Sequence, residues 1–178
     1  IRVQKIELKK SDQKRAAVAA TESFLLKSGA DARLASKVAQ ATDELLMNAI
    51  FDAPRDSTGK HFRHSLDRND SFELTGRDRI EFAMASTDKY FGICVTDFYG
   101  SLNPDIIFKF VGQDFTNTDY SPKMHAVSSG LGLYGLSRMG LSIVLISKPM
   151  VRTDAIVLLP IVKSPRELKS SFQVVSCL

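Results

Sequence analysis

Glu44 and Asn48 form the first pair of residues in this sequence whose types and spacing could do chemistry. They are four positions apart in a segment with helical periodicity, so they stack on one face, at the border of the apolar stripe. The carboxylate can orient a nucleophile or take its proton, and the amide oxygen can bind a hard cation such as Mg²⁺. Taken alone, the pair could equally be an ordinary, half-solvated helix border.

Asp97 directly follows the apolar run YFGICV and precedes FYGSL, so it stands at the end of a strand. A carboxylate in that position can accept a hydrogen bond from an amino group of a ligand. The alternative is an Asx turn in which Gly100 supplies the turn.

The segment SSGLGLYGLSRMG, residues 128–140, contains four glycines within a helix-like pattern. Each glycine inside a helix costs about 1 kcal/mol relative to alanine. Glycines at a helix start let backbone N–H groups approach an anion, and the helix dipole favours negative charge there. A hinge or a close helix–sheet contact would also use glycines.

Two helices and several strands must position these residues. IRVQKIEL predicts a first strand, and residues 12–28 predict a helix that Ser11 or Asp12 can cap and that Gly29 ends. The strongest helical pattern begins with Asp31 as N-cap and closes at Pro54. Its buried stripe consists of Leu34, Val38, Ala41, Leu45 and Ala49.

The later strands suggest the fold class. RIEFAMAS and YFGICVTD predict an antiparallel hairpin, LSIVLIS and AIVLLPIV predict two more strands, and SFQVVSCL either adds a strand or trails. The order β-α-α-β-β-loop-α-β-β favours an α+β fold, a two-layer sandwich with helices on one face of a mainly antiparallel sheet. We expect a single domain over residues 1–178, with a core to about 162 and a C-terminal extension over 163–178.

Composition narrows the class of protein. The chain has 178 residues, a net charge of +4 and basic residues that are spread along its length, which disfavours a dedicated nucleic-acid binder. Two cysteines suggest no disulfide framework, so a cytoplasmic setting is expected. No apolar run reaches the roughly 18 residues of a membrane span.

The order of the three segments is more specific than any one of them. TDELLMNAI, VTDFYGSL and SSGLGLYGLSRM resemble the N box and the two glycine boxes of the GHKL ATPase superfamily, whose nucleotide site is the Bergerat fold. The resemblance extends over about residues 1–160. The short chain, with two helices before the hairpin, is most similar to the anti-sigma-factor serine/threonine kinases.

The resemblance implies a role for each matching residue. Asn48 would coordinate Mg²⁺ between the phosphates, and Glu44 would polarise the attacking hydroxyl or water. Asp97 would accept a hydrogen bond from the adenine amino group, and Gly100 would shape the adenine pocket. Thr153, in RTDAIVLLP, loosely matches the late-strand threonine near the adenine. The phosphates would be wrapped by four residues, Gly130, Leu131, Gly132 and Leu133.

The implied function is that of a cytoplasmic regulator that binds Mg-ATP and phosphorylates or sequesters a partner protein. The partner would be a sigma factor or an anti-anti-sigma-like substrate. Direct contact with nucleic acid or a membrane is not implied. Family members of this kind often pair, which makes a homodimer an expectation.

Two departures from the family pattern motivate alternatives. Tyr99 stands where the first glycine of D-x-G-x-G belongs, and Asp52 in FDAP puts negative charge where kinases of this type carry a basic residue or histidine. Asp52 could bind Arg55 or Arg63, or cap the following turn. One alternative is a degenerate domain that acts by protein–protein contact, and another is the detached ATP-binding domain of a larger signalling kinase.

Overall fold

A mixed sheet and two α-helices make up the part of the chain that the computed structural model describes, residues 1–63, 65–102, 141–161 and 172–176. The strands are β1 (Arg2–Leu8), β2 (Ile80–Ser86), β3 (Tyr90–Asp97), β4 (Ser142–Lys148), β5 (Arg152–Pro160) and β6 (Phe172–Ser176). Their order in the six-stranded sheet is β1-β2-β3-β5-β4-β6. The pairs β1–β2, β2–β3, β3–β5 and β5–β4 are antiparallel, and β6 pairs with β4 in parallel. The α+β class is therefore confirmed, and the C-terminal segment adds a strand.

The second helix follows the sequence pattern closely at its start. Helix α2 (Ala32–Met47) begins after Asp31, whose side chain accepts a hydrogen bond from Leu34 N at 3.0 Å. This bond satisfies one of the backbone N–H groups that a helix start leaves unpaired. All five residues of the predicted stripe are buried: Leu34, Val38, Ala41, Leu45 and Ala49.

The first helix, α1 (Gln13–Lys27), is not capped as the sequence predicted. Ser11 donates instead to Asp70 O, and Asp12 accepts from the Ser71 hydroxyl. Gln13 reaches back, and its Oε1 accepts from the N–H groups of Lys9 and Lys10 at 2.7 and 3.1 Å. Both predicted caps are engaged by the loop that packs against the start of α1, so tertiary contacts override the local capping preference.

The C-terminal end of α1 is the one predicted. Gly29 has a φ of +96°, and Ala30 N donates to Leu25 O at 3.0 Å. Glycine reaches this left-handed conformation without steric cost, and it ends the helix there.

The hydrophobic core lies between the two helices and one face of the sheet, called here the inner face. Alternate residues of β3, with their register partners in β5, share that face. The buried members are Phe91, Ile93, Val95, Val157 and Leu159. Asp97 and Thr153 continue the same alternation, so they lie on the inner face at the end of both strands. This arrangement is compatible with the predicted two-layer sandwich.

The helical segment does not run unbroken to Pro54. A π-helical turn, Asn48–Asp52, follows α2, and Ala53 N donates to Asn48 O at 2.8 Å. The wider turn buries four consecutive residues, Ala49, Ile50, Phe51 and Asp52, which a regular amphipathic helix would not do. Turns of this kind are rare and are often found at functional sites.

Between the π turn and β2, the described residues form a 3₁₀ turn at Gly76–Asp78 but no helix or strand longer than an isolated bridge. One such bridge joins Glu73 to Lys10. Among the described residues, no helix combines the length and apolar character that crossing a membrane requires.

Candidate functional site

Asp97 is a buried carboxylate at the end of β3. Its Oδ1 accepts hydrogen bonds from Tyr99 N at 2.8 Å and from Gly100 N at 3.3 Å, so the Asx turn is present. Burial raises the pKa of Asp97 to about 6, against the opposing effect of those N–H groups and of the Thr153 hydroxyl. The carboxylate is therefore desolvated and held by its own backbone through one oxygen.

Thr153 stands directly opposite Asp97 in the β3–β5 register. Its hydroxyl is buried and close enough to Asp97 to lower the carboxylate pKa, but it makes no well-formed hydrogen bond in the described part of the chain. The structure thus brings together two residues that lie 56 positions apart and that the sequence assigned to one site.

Ser147 extends this pair and was missed by the sequence analysis. It lies directly opposite Thr153 in the β4–β5 register, is fully buried, and its Oγ also lacks a hydrogen-bond partner among the described residues. Asp97, Thr153 and Ser147 are called here the polar row. The alternation in LSIVLIS places Ile143, Leu145 and Ser147 on one face of the strand. Only the strand pairing shows that this face is the inner one and that Ser147 lies opposite Thr153.

The backbone conformation and the close neighbours of Gly100 exclude a larger residue at this position. Its φ is +57°, and a Cβ built there would lie 2.1 Å from Lys148 O and 2.7 Å from Val151 N. The Gly100 carbonyl accepts from Met150 N at 3.1 Å. The backbone after Asp97 is therefore pressed against the β4–β5 turn, beside the end of the polar row.

Tyr99 anchors the turn after β3. Its buried hydroxyl donates to Asp78 Oδ1, and Arg63 pairs with Asp78 Oδ2 at 2.6 Å. Burial and the hydrogen bond to Asp78 raise the Tyr99 pKa to about 12. Arg77 packs over the Tyr99 ring at 4.8 Å and donates to Phe98 O at 2.8 Å. The turn after β3 is therefore held on both sides.

Asn48 begins the π turn, and the polar atoms of its side chain are buried. Both Oδ1 and Nδ2 are buried, and neither bonds to another group within the described ranges. A buried amide with neither group satisfied is costly, because it has lost its water without gaining a substitute. Both groups are available to a ligand.

Glu44 lies one helical turn before Asn48 and is half-buried. Burial raises its pKa, the charge of Arg68 opposes the shift, and the charge of Asp52 adds to it. A carboxylate with a raised pKa is better matched to accepting a proton near neutral pH.

The buried Asp52 has a basic neighbour, as the sequence suggested. Burial lowers the pKa of Arg55, and the charge of Asp52 opposes that shift. The other suggested partner, Arg63, pairs with Asp78 and donates to Ile50 O at 3.0 Å. Arg55 therefore feels the charge of Asp52, while the guanidinium of Arg63 is engaged by Asp78 and Ile50.

The remaining predicted site residues lie outside the described part of the chain. These are Gly130, Leu131, Gly132 and Leu133 of the second glycine box. The elements that carry the other residues are packed together, because α2 and the π turn both contact β3.

No protein-family model matches this chain, and no curated protein matches it.

Proposed function

We propose that this protein is a nucleotide-binding regulator whose site is of the Bergerat type, and that it binds Mg-ATP. The observation that carries the proposal is the Asn48 side chain, whose buried amide oxygen and nitrogen have no hydrogen-bond partner among the described residues. Thr153 supports it, since its buried hydroxyl makes no well-formed hydrogen bond within the same part of the chain. Both positions were assigned to the ligand from the sequence alone.

The polar row suits the base of an adenine nucleotide. Ionised Asp97 only accepts hydrogen bonds, whereas the Thr153 hydroxyl can donate or accept. The adenine edge offers an amino donor beside a ring-nitrogen acceptor. A carboxylate facing the amino group and a hydroxyl facing the nitrogen would satisfy both.

The end of α2 suits the phosphates. Asn48 Oδ1 would be the protein ligand of a Mg²⁺ ion, which when bound neutralises phosphate charge. Glu44 would orient the attacking hydroxyl or water and take its proton. Gly130, Leu131, Gly132 and Leu133 would wrap the phosphates with backbone N–H groups. Phosphoryl transfer depends mainly on such positioning and charge neutralisation.

In this proposal the protein acts in the cytoplasm as a serine/threonine kinase, or by sequestering a partner. The partner would be a sigma factor or an anti-anti-sigma-like substrate, and the active form would be a homodimer. These proposals rest on the resemblance of the three boxes to the anti-sigma-factor kinases.

Thermal unfolding with increasing Mg-ATP tests nucleotide binding. A ligand at 100 times its Kd should stabilise the folded protein by about 2.7 kcal/mol. We expect Asn48→Leu to lose most of this stabilisation, and Asp43→Asn, which changes a neighbouring carboxylate paired with Lys14, to retain it. The absence of any shift at millimolar Mg-ATP would contradict the proposal.

Catalysis needs a separate test, because binding and turnover can be lost independently. Glu44→Gln should retain the Mg-ATP stabilisation and lose phosphate release or transfer, with Asp43→Asn again as the control. Equal turnover in Glu44→Gln and wild type would remove Glu44 from the catalytic role.

One observation favours the alternative of a nucleotide-independent domain. Asp97 Oδ1 is already satisfied by two backbone N–H groups, as in a purely structural Asx turn. A wild-type protein that shows no response to Mg-ATP but binds a partner protein would support that alternative.

A further inference from the structure

Ser147 is a polar side chain in a position that otherwise belongs to the core. It is fully buried, and its Oγ makes no hydrogen bond within the described ranges. The two preceding residues on the same face of β4, Leu145 and Ile143, are buried and apolar. An alanine in this position would avoid an unsatisfied hydroxyl. No hydrogen bond among the described residues therefore accounts for the serine.

The register places this hydroxyl in line with the proposed base-recognition residues. Ser147 is opposite Thr153, and Thr153 is opposite Asp97, so the three share the inner face across β4, β5 and β3. Neighbouring strands are about 4.8 Å apart, which makes the polar row about 10 Å long. A purine can contact one end of this row and reach the other directly or through one water.

We propose that Ser147 is a specificity-determining residue of the nucleotide site, acting with Thr153 and Asp97 to select a 6-amino purine over a 6-keto purine. The inference rests on the proposed function. Ionised Asp97 attracts an amino group and repels a keto oxygen. The two hydroxyls supply the donors and acceptors for the ring nitrogens, and Ser147 gains in the complex a partner that the described part of the free protein does not provide.

The test measures Kd values for Mg-ATP and Mg-ITP by calorimetry, together with the thermal unfolding of the free protein. ITP differs from ATP by a keto oxygen in place of the amino group. We expect Ser147→Ala to weaken Mg-ATP binding five- to tenfold, to narrow the preference for ATP over ITP, and to leave the Tm of the free protein unchanged or higher. A purely structural serine would instead lower the Tm without changing the preference.

Ser142→Ala is the matched control, because Ser142 lies on the same strand but its register partner is the exposed Leu158 on the opposite face. It should bind both nucleotides as wild type does. Ser147→Cys, which keeps nearly the same shape with a poor donor, gives a second measurement if the alanine variant folds badly.

The outcomes separate the two proposals. Wild type that binds Mg-ATP, with Ser147→Ala and Ser147→Cys binding it equally well and with the same preference, overturns this inference alone. A wild type that binds neither nucleotide overturns the proposed function, and this inference with it.

Discussion

The Tyr99 hydroxyl donates a hydrogen bond to Asp78, and the second oxygen of that carboxylate pairs with Arg63 at 2.6 Å. Arg63 in turn donates to Ile50 O in the π turn at 3.0 Å. The chain of contacts therefore joins the turn after β3, which holds Asp97, to the turn that begins at Asn48. The two halves of the proposed site are held by one polar network.

Tyr99→Phe removes a single hydrogen bond from this network. We expect a loss of about 1–2 kcal/mol in the free energy of unfolding, because the hydroxyl bonds to a carboxylate that keeps its pairing with Arg63. Urea denaturation measures the change. Tyr90→Phe, at a half-exposed tyrosine at the start of β3, is the control and should leave the midpoint unchanged. Identical midpoints for the two variants would show that the contact contributes nothing.

Arg63→Met should lower the free energy of unfolding more than Tyr99→Phe does. Only 5% of Arg63 is exposed, and its guanidinium also packs over the Phe72 ring at 4.7 Å. Removing the charge leaves Asp78 and the Ile50 carbonyl without this partner, and breaking a buried pair from one side costs about 3 kcal/mol or more. The half-exposed Arg79, which pairs only loosely with Glu81 at 3.9 Å, provides the comparison, and Arg79→Met should cost less than about 1 kcal/mol. Equal costs in chemical denaturation would contradict the network.

Gly100→Ala tests the close approach at the end of the polar row. A Cβ at 2.1 Å from a backbone carbonyl cannot be accommodated without moving the β4–β5 turn, so we expect a loss of about 4 kcal/mol or more, or failure to fold. Gly59 has a φ of +82° with nothing within 4 Å of an added Cβ. Gly59→Ala should therefore cost only the backbone strain, about 1 kcal/mol. A similar Tm for the two variants would refute the steric argument.

Asp97 should make both stability and binding depend on pH. Its pKa of about 6 in the folded protein is above the ordinary value near 4, so the folded state binds the extra proton between those values. The contribution of Asp97 to the free energy of unfolding is then largest below about pH 4, falls by at most about 3 kcal/mol as the pH rises towards and past 6, and is constant at higher pH. Asp97→Asn should remove this slope and stabilise the free protein at neutral pH.

Nucleotide binding should show the opposite dependence, because the ionised carboxylate is a stronger acceptor for the adenine amino group than the neutral carboxyl group is. Mg-ATP affinity should rise through pH 6 in wild type and be low at every pH in Asp97→Asn. Calorimetry between pH 5 and 8 provides the measurement. A wild-type affinity that does not change with pH would remove Asp97 from base recognition.

Local sequence signals predicted much of the architecture. The cap at Asp31, the stop at Gly29 and the buried stripe of α2 follow from helix geometry and capping chemistry, which act over a few residues. The hairpin of β2 and β3 follows from two alternating runs joined by a short turn. Glu44, Asn48 and Asp97 could be named in advance from their types and positions near the ends of these elements, whereas Thr153 was named only through the resemblance to the GHKL superfamily.

Features that depend on distant pairing could be decided only by the tertiary structure. The diversion of Ser11 and Asp12 from capping α1, the π turn and the anchoring of Tyr99 all involve residues far apart in the chain or a competition between local and long-range contacts. The polar row depends on register, since shifting a strand by one residue would turn Ser147 or Thr153 to the opposite face. The sequence by itself determined which segments form helices and strands and which residues could do chemistry. Strand pairing decided which of those residues share a face, because register is set by the packing of the whole sheet against its helices.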